Sequence, residues 1–139
     1  MRVNSASVHN GIIRIDNQIA TEAELQAITH VSQSMSICFN ADLPYIHLPN
    51  LMTVGNSMSF LSNQRLVTIR LPMLSTVAWL SLADTSSLVS VSAPKLEQIS
   101  HGLYISNMPY FHTLNVPNES FSQSNVTLSE SPLLSHLIH

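Results

Sequence analysis

Charge is what this sequence has least of. Only 9% of its 139 residues are Asp, Glu, Lys or Arg, against roughly a quarter in an ordinary soluble domain. With 45% hydrophobic residues, it also lacks the low hydrophobicity and high net charge of a disordered chain. Basic residues are the scarcer sign: Arg2, Arg14, Arg65, Arg70 and Lys95 face eight acidic residues, for a formal net charge of -3. No positive stripe is available to follow a phosphate backbone, so nucleic-acid binding is not expected. A single cysteine, Cys38, excludes an internal disulfide framework and a multi-cysteine zinc site. No apolar run approaches the ~18 residues of a membrane span. The segment from Met1 to Asn10 is polar where a signal peptide would be apolar, and the expectation is a cytoplasmic chain without a membrane span. At this length one domain is expected, covering residues 1–139.

What the sequence does have is a period. Pro49, Pro72, Pro94 and Pro117 are separated by 23, 22 and 23 residues, and aliphatic residues advance with them in columns. Leu43, Leu66, Leu88, Phe111 and Leu134 form one column; Ile46, Ile69, Val91, Leu114 and Leu137 form the next. Leu48, Leu71, Ala93 and Val116 follow two residues later. A further pair of columns holds Met35, Met58, Leu80, Leu103 and Val126, then Ile37, Phe60, Leu82, Ile105 and Leu128. A fixed period of this length is the signature of a solenoid, in which each repeat stacks on the last and the columns become ladders in one elongated core.

Within each repeat the doublets Leu-x-Ile and Ile-x-Leu alternate with period 2, so two brief strands per turn are expected, joined by polar corners. Proline at one fixed corner suits this, because it sets φ and supplies no ladder donor. Ahead of the repeats, Ile13 and Ile15 suggest a strand after the Asn10-Gly11 turn. Thr21-x-x-Glu24 is a capping-box pattern that predicts a short helix over about residues 22–29. The expected organisation is an N-terminal strand and helical cap over residues 1–34 and repeated turns over residues 35–139.

The stretch Leu66-x-x-Ile69-x-Leu71 and its copies fit the L-x-x-L-x-L half of a leucine-rich repeat. Three positions further on, where those repeats carry Asn or Cys, stand Leu51, Leu74, Leu96 and Glu119, so no asparagine ladder is expected. With Leu-x-x-Val and Leu-x-Ile added, as in Ile99 to Asn107, the pattern more closely resembles the receptor L domain. That resemblance implies a mainly β fold, a right-handed parallel β-helix of 22 to 23-residue leucine-rich-repeat-like turns with a short N-terminal capping helix.

Clustered chemistry is harder to find. His30, His47, His101 and His112 fall in different columns, and only His136 with His139 makes a near pair, so no metal site is expected. The acidic residues are similarly scattered, and no pair of carboxylates can be assembled for acid and base work. No enzyme activity and no cofactor are therefore expected. Cys38 has no basic neighbour in sequence to activate it.

Outward positions are more informative. Beside the Ile-x-Leu strands they are Tyr45 and His47, Thr68 and Arg70, Ser90 and Ser92, Thr113 and Asn115, a varied polar ladder suited to recognition. Trp79, the only tryptophan, is expected at a corner and is a candidate anchor. The second sheet shows Ser36, Ser59, Ser81, Tyr104 and Thr127, too irregular for an ice-binding Thr ladder. The function expected is a non-enzymatic protein-binding module that presents an extended sheet face to a macromolecular partner. The alternative is a structural β-solenoid that assembles through its terminal turns. Leu133, Leu134 and Leu137 continue the repeat almost to the last residue, and an uncovered final turn leads to the expectation of a homodimer formed end against end.

Overall fold

A period of 22 to 23 residues can close into a coil only if the chain turns back at two corners per period, with a strand between them on each side. The computed structural model of the chain describes residues 8–16, 22–117 and 125–129, and it has this form. In chain order the elements are β1 (Val8–His9), β2 (Ile13–Asp16), α1 (Glu22–Ala27), β3 (His30–Val31), β4 (Met35–Cys38), β5 (Tyr45–His47) and β6 (Thr53–Leu61). They continue as β7 (Thr68–Arg70), β8 (Thr76–Ala83), β9 (Ser90–Ser92), β10 (Gln98–Ser106), β11 (Thr113–Asn115) and β12 (Asn125–Ser129). Long and short strands alternate, forming an eight-stranded sheet around the path β1-β3-β6-β8-β10-β12 and a four-stranded sheet β5-β7-β9-β11. The chain is a mainly β parallel solenoid of about five turns at about 23-residue spacing.

Register follows the columns. Met35 pairs with Met58, Met58 with Leu80, Leu80 with Leu103 and Leu103 with Val126. Ile46, Ile69, Val91 and Leu114 do the same in the short sheet. The columns also extend back one coil, because Ile13 pairs with Met35 and Ile15 with Ile37. Helix α1 ends at Ala27 rather than near residue 29. Leu25 and Ile28 are buried and lie 23 residues before Leu48 and Leu51, so the helix stands in the first coil in the phase that β5 takes in the second. Its end is tied to that next coil, as Asn50 Nδ2 donates to the Gln26 carbonyl at 2.7 Å and the Met52 N–H to the Thr29 carbonyl at 2.7 Å.

One core runs the length of the stack, from Ile13 to Phe111, with Leu66, Leu88, Ile69 and Val91 fully enclosed. Leu114 is only partly buried; among the described residues β11 is the last strand of its sheet, with a rung on one side. The corners are regular as well. Hydrogen bonds from Leu74 N–H to the Leu71 carbonyl and from Leu96 N–H to the Ala93 carbonyl close β-turns with Pro72 and Pro94 in the second position, where a fixed φ fits.

The opposite corner corrects the expectation that no asparagine ladder exists. The residue that follows β4, β6, β8 and β10 is left-handed: Phe39, Ser62, Asp84 and Asn107, with φ between 51° and 58°. The next residue turns inward: Asn40, Asn63 and Thr85 are completely buried. Asn40 Nδ2 donates to the Ile15 carbonyl at 3.0 Å, the Cys38 carbonyl at 3.2 Å and Asn63 Oδ1 at 3.0 Å. Asn63 Nδ2 donates to the Ile37 carbonyl at 2.8 Å, and Thr85 Oγ1 to the Ala83 carbonyl at 3.1 Å. The Asn40 N–H in turn donates to Asn63 Oδ1 at 3.2 Å and the Asn63 N–H to Thr85 Oγ1 at 3.5 Å, so these side chains serve N–H groups that the corner takes out of the strand ladder, which a hydrocarbon cannot do. Met108 follows in the same column and is also buried.

The single 22-residue step also has a local cause. Between Val54 and Ser57 of β6, and between Ile99 and Gly102 of β10, two residues face the one residue of β8 between Val77 and Trp79. Bulged strands on either side of a straighter one therefore accommodate the shorter repeat. At the first bulge Gly55 packs so closely that a Cβ would collide with the Ser32 carbonyl oxygen.

Two substitutions test this packing by urea denaturation. Leu88→Ala is expected to cost about 2–5 kcal/mol, the range for a buried leucine, and a loss below about 1 kcal/mol would place residue 88 outside the core. Asn63→Ala is expected to cost about 1–3 kcal/mol by removing the acceptor of the buried Asn40 N–H and a donor to the Ile37 carbonyl; a neutral result would make the corner ladder incidental.

Candidate recognition face

The short strands are three residues long, so each directs its middle residue into the core and its outer two to solvent. Successive rungs set Tyr45, Thr68, Ser90 and Thr113 in one outward column and His47, Arg70, Ser92 and Asn115 in another. All eight residues expected on this surface are thus brought onto one continuous face. Tyr45, His47, Arg70, Thr113 and Asn115 are exposed, while Thr68, Ser90 and Ser92 are half-buried. Asn115 Nδ2 donates to Ser92 Oγ at 3.2 Å, and His112 Nδ1 lies 2.8 Å from Thr113 Oγ1.

The β5 end of the face is concave. A half-open groove of about 420 Å³ is lined by Pro44, Tyr45, Ile46, His47, Val67, Thr68 and Arg70. Tyr45 is 57% exposed and Val67 41%, giving the groove an apolar wall beside its polar groups. Val67 was missed in the sequence because it precedes its strand by one residue and falls outside the period-2 template; Pro44, Val89 and His112 share its column.

Trp79 belongs elsewhere. It lies within β8 of the long sheet, at the bulge rather than at a corner. It is 40% exposed, and the His101 ring stands 5.9 Å from it at a 32° tilt. The outward residues Ser36, Ser59, Ser81, Tyr104 and Thr127 are in register on that sheet. A smaller hollow of about 120 Å³ follows the bulge between Gly55 and Ser100.

The few charges are mostly spent locally. Arg14 sits 3.6 Å from Asp16 and Arg65 3.8 Å from Asp42, exposed pairs worth about 0–1 kcal/mol each. Lys95 Nζ donates to Met73 Sδ at 3.4 Å. Among the described residues no group of three or more His, Cys, Asp or Glu side chains could hold a metal ion, and no helix is long and apolar enough to cross a membrane. Cys38 is buried with Ser36 Oγ 2.9 Å from its sulfur. Leu133, Leu134 and Leu137, expected at a dimer interface, lie outside the described residues, as do His136 and His139.

Comparison of the chain with protein-family models, with curated proteins and with solved structures gives no match.

Proposed function

We propose that this chain is a non-enzymatic protein-binding module whose recognition surface is the outer face of the β5-β7-β9-β11 sheet. The observation that carries the reading is the side-chain pattern on that face: a constant backbone presents a different pair of polar or aromatic groups on every rung, and Tyr45 and Arg70 both line one groove. Short strands on a continuous core hold these groups in place before any partner arrives, which lowers the ordering cost of association. The likeness to the receptor L domain belongs to the same proposal, and the buried asparagine corner supports it. Read in the phase of the long strand, Val54-x-x-x-Met58-x-Phe60-x-x-Asn63 follows the leucine-rich-repeat order with one inserted residue.

A second reading, self-assembly through the terminal turns, is favoured by one feature. Among the described residues β12 and β11 each have a single ladder partner, β10 and β9, so both sheets end in strand edges at the same end of the stack. A homodimer through Leu133, Leu134 and Leu137 would cover that end.

The two readings separate under one double substitution. Tyr45→Ala with Arg70→Glu is expected to weaken capture of the partner from the native source while moving stability by less than about 0.5 kcal/mol, as exposed substitutions do. Undiminished capture, measured beside a thermal midpoint, would remove this face from the account.

A further inference from the structure

We infer that the groove between β5 and β7 takes an acidic residue from an extended segment of a partner protein. The partner carboxylate pairs with Arg70, and a neighbouring apolar side chain packs on Tyr45 and Val67. This rests on the protein-binding reading above and names the chemistry of the same face.

The first argument is charge. Arg14 and Arg65 each have their own aspartate, and Lys95 reaches a methionine sulfur. Arg70 has neither: its rung neighbours are His47 and Ser92, and among the described residues no carboxylate lies within ion-pair distance of it. Glu24 falls in the same sequence phase but two coils away, about 10 Å by the spacing of adjacent strands. Asp84 accepts a hydrogen bond from Asn107 at 2.8 Å. The guanidinium is thus left with its planar fork open, the geometry that binds a carboxylate through two parallel hydrogen bonds.

The second argument is shape. Pro44, Tyr45 and Val67 wall the groove on the side away from the charge, so a side chain laid against them would exclude water and strengthen the pairing. A volume of about 420 Å³ is near the small end of ligand pockets and suits one or two side chains of an extended segment rather than a folded domain. The overall charge of -3 gives an acidic partner no long-range attraction, so recognition depends on this one local cation.

The test is selection of short random peptides on the intact chain, followed by fluorescence anisotropy of the enriched peptides at physiological salt. Enrichment of Asp or Glu beside an apolar residue is expected. Arg70→Gln should weaken binding by about tenfold or more, as loss of a charged contact does. Arg70→Lys should fall between, and Arg65→Gln should leave affinity unchanged, with thermal midpoints reported for each. Peptides without acidic residues, or insensitive to Arg70→Gln, would overturn the inference. If such peptides were lost on replacing Thr113 and Asn115 by Ala, the wider face would stand while the groove assignment fell. Insensitivity to every substitution on the sheet would end both, and an Arg70-dependent dimer in sedimentation would make a second copy the occupant and overturn the inference.

Discussion

Residues 22 or 23 apart in this chain have to occupy the same place one coil later, and a corner is where that is hardest to satisfy. Along the strands the requirement is met by backbone ladders and by aliphatic side chains of similar size. At the corners after β4 and β6 the backbone leaves the ladder, and the buried N–H groups of Asn40 and Asn63 need side-chain acceptors. Asn63 and Thr85, one coil on, supply those acceptors, while the Asn40 and Asn63 amides add donors to the Ile15 and Ile37 carbonyls and pass an interaction from coil to coil. The left-handed residues just before them turn the chain so that these side chains point inward. Position of the short strands, and therefore of every group on the recognition face, follows from where this corner releases the chain.

Much of this was legible in the sequence because burial on a solenoid is strictly periodic. Ile46, Ile69 and Val91 could be read as a column because nothing but a stacked strand explains branched residues at that spacing with polar neighbours on either side. The corner was not legible because the leucine-rich-repeat pattern was phased on Leu66-x-x-Ile69-x-Leu71, which lies across the short strand. The polar position belongs after the long strand, three residues beyond Ile37, Phe60 and Leu82, and Thr85 and Met108 interrupt its identity. The bulge was hidden for a related reason: in β6 and β10 an extra residue resets the alternation, so a nine-residue strand reads as two unrelated doublets. Trp79 reads as a corner residue in the sequence because it stands beside the inward Leu80, yet it lies inside β8.

The candidate face divides the same way. All eight outward residues could be placed from alternation alone, since a three-residue strand with its centre turned inward turns both flanks outward. What alternation cannot give is relief. The groove exists because Val67 and Pro44 stand one residue before their strands and build a wall beside Tyr45, and that depends on the path of the polar corner. Nor does composition reveal that Arg70 differs from the other arginines, which comes from the aspartates that happen to sit beside Arg14 and Arg65.

The central claim is that function rides on a parallel stack in fixed register, and through-space NMR contacts test it most directly. The account predicts backbone contacts linking residue 46 to 69, 69 to 91 and 91 to 114, together with 58 to 80 and 80 to 103, and asparagine side-chain amide protons at 40 and 63 that exchange slowly with solvent. Antiparallel cross-strand contacts, contacts offset from these pairs, or side-chain amides at 40 and 63 that exchange at the solvent rate would contradict it.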